Sequence, residues 1–373
     1  MIFAIITHVP HCTSKSEYFA YAPYVREMNL WLKYIDKTII VAPKTKEKPS
    51  TIDMAYLHNN IQFSTISSIQ FTSFKNSFLS VIKIPIIVWA IFKACKKADH
   101  IHLRCPGNIG MLGCFVQILF PKKSKTAKYA GNWDPKAKQP LSYKIQKWIL
   151  SNTFLTKNMQ VLVYGNWKNQ TKNIKPFFTA SYSNYEIEIP IERDYSNELK
   201  FVYIGALVEG KRPLLAIQIV EALVKEGKQA HLNMYGDGIL KEQLQQYVCS
   251  NHLEKFIKLH GNQEKTILIE ALKNAHFLVL LSKSEGWPKA IAEAMFFGTI
   301  PISTSVSCIP FMLKEGERGI IIKPELASAL NHINKAINNT ASLKRMSKLA
   351  SNWSQHYTLE VFEEEIYKLL NKL

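Results

Sequence analysis

Short apolar runs recur along the whole chain, many closed by a glycine or a polar residue: IFAIIT, TIIVAP, HIHLRCP, TAKYAG and MQVLVYG in the first half, then KFVYIG, HLNMYG, KLHG, HFLVLLS and TIPIST. They lie roughly 20 to 40 residues apart with helical stretches between, the pattern of βαβ units and parallel sheets. A polar stretch, FFTASYSNYEIEIPIERDYSNELK, parts two such series. The fold class expected is α/β, with two similar halves facing each other across a cleft: residues 1–180, a linker at 181–199, and residues 200–355. Residues 356–373 read as a closing amphipathic helix that packs back on the first half. Its acids come early and its lysines late, as the helix dipole favours.

Two stretches stand out from this pattern. Residues 74–97, FKNSFLSVIKIPIIVWAIFKACKK, join an apolar body to lysines, with Pro85 placed to kink or divide a helix. They read as a core helix, with a segment lying at a membrane interface as the alternative. Residues 284–298, SEGWPKAIAEAMFFG, set Glu293 among apolar neighbours, where a lone carboxylate is costly unless something answers it. Pro288 suits the first position of a helix and Gly298 its exit, which predicts a helix over 288–297. That helix begins just past the strand HFLVLLS, and ligands of open α/β sheets gather beyond strand carboxyl ends. Backbone N–H groups at such a start suit a diphosphate. Glu293, five residues on, lies about 7–8 Å along the axis, close to the reach from a diphosphate to the ribose of the same nucleotide. Both ribose hydroxyls donating to it would explain the acid.

Composition narrows the class. With 373 residues, 47% apolar and 20% charged, the chain is enzyme-sized and too long for one ordinary core. The longest apolar run, Ile84 to Phe92, falls far short of the roughly 20 residues a spanning helix needs. The N-terminus reads as a buried strand rather than a signal peptide. Six scattered cysteines without CxxC spacing fit reduced thiols. Residues 1–190 hold 25 Lys and Arg against 9 Asp and Glu, a net of +16, and residues 191–373 hold 22 against 20, a net of +2. The positive field of the first half calls for an anionic partner, a membrane surface or a lipid phosphate. No helix-turn-helix, RRM or KH pattern accompanies it, so nucleic acid is not expected. The expected location is cytoplasmic, peripheral on the inner face of the cytoplasmic membrane.

The E-x7-E spacing of Glu285 and Glu293 within SKSEGWPKAIAEAMFFGTIPIST resembles the donor site of retaining GT-B glycosyltransferases of the GT4 type, the glycosyl transferases group 1. FVYIGALVEGKRP, HLNMYGDGILKEQL and KLHGNQEKTILIEALKNAHFLVLLS follow in the family's order, so the resemblance covers residues 200–322. It implies a GT-B fold of two Rossmann-like domains, the first binding an acceptor and the second a nucleotide-sugar. It also implies that Glu293 binds the ribose, that Glu285 contacts the donor sugar, and that backbone at Gly286, Trp287 and Pro288 holds the diphosphate. Gly205, Gly236 and Gly238 fall in the donor loops. Lys211 matches the lysine that stabilises the departing nucleotide diphosphate, where charge develops in the transition state. Ala206 stands where the family has an arginine, and Arg212 is the candidate for the second cation. The reaction implied moves a hexose, with retention, from a UDP- or GDP-sugar to a lipid-linked or saccharide acceptor in bacterial surface polysaccharide or lipopolysaccharide synthesis. With no Asp-x-Asp motif, no metal or other cofactor is expected.

The first half departs from the family. THVPHCTSKSEYFAYAPY stands where a paired-glycine loop is usual, and TAKYAGNWDP where a histidine is often found. Acceptor contacts are assigned there by strand-end position, to Thr7, His8, His11, Lys15, Arg104, Asn108, Asn132 and Asp134. Turns capped by their own side chains are the alternative for each. Two other readings stay open, a sugar-nucleotide epimerase of the same fold and a non-catalytic nucleotide-sugar binder or scaffold.

Overall fold

The apolar runs become parallel strands covered on both faces, the condition under which a strand can be apolar along its whole length. The structure, a computed structural model, describes residues 1–50, 52–69 and 74–371. It forms two compact units, Met1–Phe177 with Phe362–Leu373, and Phe178–Val361. The first contains β1 (Ile2–Ile6), β2 (His11–Ser14), β3 (Glu17–Tyr21), α1 (Ala22–Leu32), β4 (Lys37–Pro43), β5 (Asp53–Ala55), β6 (Ile61–Ile66), α2 (Phe74–Lys97), β7 (His100–Cys105), α3 (Asn108–Val116), β8 (Ser124–Tyr129), α4 (Leu141–Ser151), β9 (Met159–Tyr164) and β10 (Ile174–Phe177). The second runs β11 (Leu199–Ile204), α5 (Pro213–Lys225), β12 (Ala230–Tyr235), α6 (Lys241–Ser250), β13 (Ile257–Gly261), α7 (Lys265–Asn274), β14 (Phe277–Leu280), α8 (Lys289–Phe296), β15 (Ile300–Thr304), α9 (Ile309–Met312), β16 (Ile320–Ile322), α10 (Leu326–Ile337) and α11 (Thr340–Ser354). Helix α12 (Leu359–Asn371) closes the chain and belongs to the first unit from Phe362 onward.

Seven strands form the first sheet in the order β10-β9-β8-β7-β1-β4-β6, and six form the second in the order β13-β12-β11-β14-β15-β16. Both are parallel throughout. Each sheet reverses its winding beside its first strand, between β1 and β7 and between β11 and β14. Successive crossovers leave that point on opposite faces, so a crevice opens beyond the strand ends, where ligands of such sheets bind. A small antiparallel sheet, β2-β3-β5, is added to the first unit.

Alternation along β7 separates two environments. Ile101, Leu103 and Cys105 join the apolar core with Ile87 and Ile91 of α2 and Ile109 of α3. His100, His102 and Arg104 face the side covered by α1. There the two histidines reach the Thr126 hydroxyl at 2.9 and 2.8 Å, and Arg104 and Lys128 both hold Glu27 of α1 at 3.1 Å. Burial alone would raise the Glu27 pKa, but Lys128 and Arg104 more than offset it and hold the carboxyl at about 2. Burial brings Lys128 down to about 8 in spite of that partner, and keeps His100 and His102 near 3, hence neutral.

Several expectations are corrected here. Helix α2 runs unbroken through Pro85, which lies on its exposed side, where water can take the carbonyl that proline leaves without a donor. The stretch after β1 is a hairpin, and Lys15 sits exposed in its turn. Lys15 and Ser16 have φ of 46° and 67°, the left-handed pair a two-residue type I′ turn demands. His11 is buried, its Nδ1 2.8 Å from the Val9 carbonyl and its Nε2 2.9 Å from the Tyr56 hydroxyl. Burial holds its pKa at about 4, so it is a neutral core residue with both ring nitrogens engaged and is withdrawn as an acceptor contact. Helix α8 is shorter than expected, with Pro288 as its N-cap rather than its first residue.

Replacing Glu27 by Gln removes the carboxylate that Arg104 and Lys128 share and should cost about 3–5 kcal/mol of unfolding free energy. In wild type, the contribution of the depressed Glu27 is complete above about pH 4.5 and is lost as pH falls toward 2. Without Glu27, Lys128 sheds its proton at lower pH than the wild-type value of about 8, so the deficit should narrow as pH rises toward 8 and stay level above it. Urea titrations of both proteins near neutrality and in mild alkali check the size and the trend.

Candidate functional site

In the second unit the loops that follow β11 and β14 meet at the switch point and are cross-linked. Lys211 Nζ lies 2.5 Å from Glu285 Oε1, which also accepts from Ser282 Oγ at 2.5 Å. The Lys283 backbone N–H donates to the Gly210 carbonyl at 2.7 Å, Arg212 donates to the Leu281 carbonyl at 2.9 Å, and Lys283 pairs with Glu209. The Glu285 side chain is 9% exposed and that of Lys211 28%, so the pair opens to solvent on the cation's side. Arg212 has φ 51° and ψ 49° at the start of α5, a conformation that carries its guanidinium across to the second loop. Behind them, burial and then the Glu285 charge push the Tyr203 hydroxyl up, and it donates to the Ala206 carbonyl at 2.9 Å.

The glycines are there for backbone proximity. Gly236 has φ 139°, and a Cβ on it would stand 1.9 Å from the Gly205 carbonyl oxygen. A Cβ on Gly238 would stand 2.5 Å from the Leu207 oxygen. The turn after β12 can therefore lie directly on the loop after β11, joined by Leu207 N–H to the Asp237 carbonyl at 2.9 Å and Gly205 N–H to that of Tyr235 at 3.0 Å. Gly205 itself is not crowded, with nothing nearer than 3.6 Å to its own Cβ position.

Helix α8 starts at the end of the second loop with no side-chain cap at Pro288. Trp287 is buried against Trp353 and Tyr357, with ring centroids at 6.2 and 5.8 Å, and the Gly286 carbonyl accepts from Cys308 Sγ at 3.1 Å. The far end of α8 is fixed more heavily. Buried Arg193 donates to the carbonyls of Leu272, Lys273 and Ala275 at the end of α7 and to those of Phe297 and Gly298 past α8, at 2.5–3.3 Å. Ser354 and Gln355 bind the carbonyls of Ala292 and Phe296 at 2.6 and 2.9 Å. Glu293 is half-buried rather than enclosed, and its Oε1 accepts from Ser181 Oγ at 2.6 Å. Neither Ser181 nor Arg193 was singled out from the sequence. Arg193 left one signal, as the one arginine of the polar stretch between the two series of strands.

In the first unit the switch point brings His8, past β1, against Gly107, past β7, where a Cβ would meet His8 Nδ1 at 2.7 Å. Crowding by the protein, then the Arg104 charge, hold the His8 pKa below its ordinary value. Asn108 is drawn to the Ile69 carbonyl at 3.2 Å, and Arg104 to Glu27. Thr7 is buried, its hydroxyl accepting from the Val9 N–H at 3.1 Å. Asn132 accepts from the Asp134 N–H at 2.9 Å and Asp134 from the Lys136 N–H at 2.8 Å, the self-capped turn that competes with an acceptor role. Lys15 lies apart, in its hairpin turn. Among the described residues, no group of three or more His, Cys, Asp or Glu side chains could hold a metal ion.

Residues 184–353 match the family described as Glycosyl transferases group 1. A lipopolysaccharide 1,6-galactosyltransferase of Salmonella typhimurium is 29% identical over 153 residues, 40% of this chain and 42% of that protein. The chain spans about half the length of the curated relatives it matches. Among solved structures, the lipopolysaccharide outer core galactosyltransferase WaaB in its apo form aligns with a TM-score of 0.71 at 17% identity, over 100% of both chains. The Anabaena protein HepE in complex with UDP and glucose aligns with a TM-score of 0.66 at 14% identity, again over 100% of both.

Gly236→Ala should lower stability by about 1–3 kcal/mol or more, since the left-handed backbone and the displaced Gly205 carbonyl add their costs. Gly210→Ala, with nothing within 4 Å of its Cβ position, should stay within about 0.5 kcal/mol of wild type. Thermal unfolding of the two variants separates close approach from a general intolerance of side chains in these loops.

Proposed function

A GT-B protein whose residues 184–353 belong to the glycosyl transferases group 1, this chain is, we propose, an enzyme that moves a sugar from a UDP- or GDP-sugar to a lipid-linked or saccharide acceptor in the synthesis of lipopolysaccharide or another surface glycan. The observation that carries the reading is the pair of cross-linked loops at the β11/β14 switch point, which sets Lys211, Glu285 and the uncapped start of α8 beside one another. The Salmonella relative, a lipopolysaccharide galactosyltransferase, supports the acceptor class, and HepE, which holds UDP, supports a nucleotide-sugar donor.

In this reading the donor diphosphate lies at the first turn of α8, where N–H groups and the helix dipole favour negative charge. Glu293 takes the ribose; a carboxylate offers about four acceptor sites, so the Ser181 hydrogen bond leaves room for both hydroxyls. Glu285 contacts the sugar, and Lys211 shares its ammonium, with three donors, between Glu285 and the diphosphate. As the bond from the anomeric carbon to the diphosphate breaks, charge grows on the leaving oxygen, where a fixed cation is most effective. The acceptor oxygen bonds to the same face of the sugar and its proton passes to the departing phosphate, so configuration is retained. Arg212, held by the Leu281 carbonyl, braces the loop and adds positive potential. These are roles for the chain's own residues, and metal independence is part of the proposal.

Titrating UDP, GDP and ADP into wild type and Glu293→Ala by calorimetry tests the donor site. One nucleotide should bind wild type, and loss of a charged hydrogen-bond partner worth about 1.5–3 kcal/mol should weaken it roughly 10- to 150-fold. Failure of every nucleotide and its common sugar conjugates to bind either protein would reject the reading. Transfer activity should also survive a chelator of divalent cations, and a strict Mn²⁺ requirement would remove the metal-independent part.

A further inference from the structure

Helix α2 carries a face that neither the core nor the donor site uses. Ile82, Ile86 and Trp89 are 57, 71 and 56% exposed, and Lys93, Lys96 and Lys97 continue the same side of the helix in solvent. At about 100° per residue these six side chains fall within an arc of roughly 100°. The opposite side is spent, because Ile87, Ile91, Ala94 and Cys95 are buried in the core of the first unit. Single exposed apolar residues are ordinary. Three along one stripe, with Trp89 stacked on Phe92 at 5.6 Å and Lys93 Nζ 5.1 Å over its ring, form a surface of definite chemistry.

We propose that this face of α2 docks the protein on an anionic lipid bilayer. The occupant follows from charge. Residues 74–97 include five lysines and no acid, and they lie in the half of the chain that carries +16. Lysines at the helix end also suit its dipole, but the dipole gives no reason for an isoleucine stripe and an exposed tryptophan before them. Apolar side chains that enter the headgroup layer, an indole at the interface and lysines facing lipid phosphates are the components of interfacial binding. Among the described residues no helix is long and apolar enough to cross a membrane, so the contact is a surface one. The helix is already folded and anchored, and docking requires no rearrangement of the core.

The test uses the whole chain and vesicle flotation, with phosphatidylcholine alone or mixed with phosphatidylglycerol. Wild type should float with the mixed vesicles and much less with phosphatidylcholine. Each lysine near the surface contributes about fivefold, so Lys93→Gln, Lys96→Gln and Lys97→Gln together should weaken binding on the order of 100-fold. Ile86→Glu should weaken it roughly tenfold or more. Circular dichroism checks that the variants fold. Independently, brominated lipid should quench wild-type fluorescence, and quenching should fall in Trp89→Phe. Equal flotation with both vesicle types, or binding unchanged in both sets of variants, overturns the proposal. So does retention of duplex DNA with no retention of vesicles, which would assign the basic face to nucleic acid. No readout involves a nucleotide-sugar, so this proposal and the donor-site reading fail separately.

Discussion

Arg193 closes the carboxyl ends of two helices at once, and the candidate site depends on that closure. A helix end leaves carbonyls without donors, and burying them unpaired is expensive. Helices α7 and α8 end side by side in the interior of the second unit, and one guanidinium with five N–H groups serves both sets of carbonyls. Burial lowers the Arg193 pKa from its ordinary value, yet an arginine keeps its charge under any physiological condition. That charge faces the negative ends of two helix dipoles. With its carboxyl end fixed, α8 has a defined axis, and its amino end, free of a side-chain cap, points where the loops after β11 and β14 converge.

Those loops are held by short links between backbone and side chain. The sheet topology sets them beside each other because the winding reverses there. Glycines at 236 and 238 allow a third loop to stack on the first at distances no side chain would permit. The Lys211–Glu285 pair then sits on a support whose backbone is already constrained. Preorganisation of this kind is what electrostatic stabilisation of a transition state requires, since dipoles that must turn during the reaction contribute less. Trp287 has a supporting part of the same kind, for its indole packs inward on Trp353 and Tyr357 and fixes the loop that carries Glu285.

How much of this was legible in the sequence depended on burial. The central strands of both sheets stand out as apolar runs because both their faces are covered. The parallel strands absent from those runs, β6, β10 and β16, are edge strands, and the antiparallel β2, β3 and β5 are absent too. Ile61–Ile66 and Ile174–Phe177 are only partly buried and mix polar with apolar residues, and Ile320–Ile322 is too short to stand out. The spacing of Glu285 and Glu293 was readable because it lies within one loop and one helix. Their distant partners were not, since Ser181 is 112 residues from Glu293 and Lys211 is 74 from Glu285. Strand-end position assigned His8, His11 and Asn108 alike as acceptor contacts, but it could not tell a buried histidine from an exposed one, and His11 turned inward.

The basic balance of the first half illustrates the limit of a sum. Lys125 and Lys128 are fully buried and Arg104 is nearly so, and each has a partner inside the protein: Gln117 for Lys125, Glu27 for the other two. Such charges contribute little to the outward field while costing desolvation free energy, which is why burial brings both lysines down to about 8. A net charge read from composition therefore mixes cations that stabilise or strain the interior with cations a partner can meet. Exposure separates the two classes, and position on a shared face gives the exposed ones a chemistry. Lys93, Lys96 and Lys97 of α2 gain significance beyond their number because exposed isoleucines and an indole continue the same stripe, and an anionic lipid surface is the partner able to meet both parts.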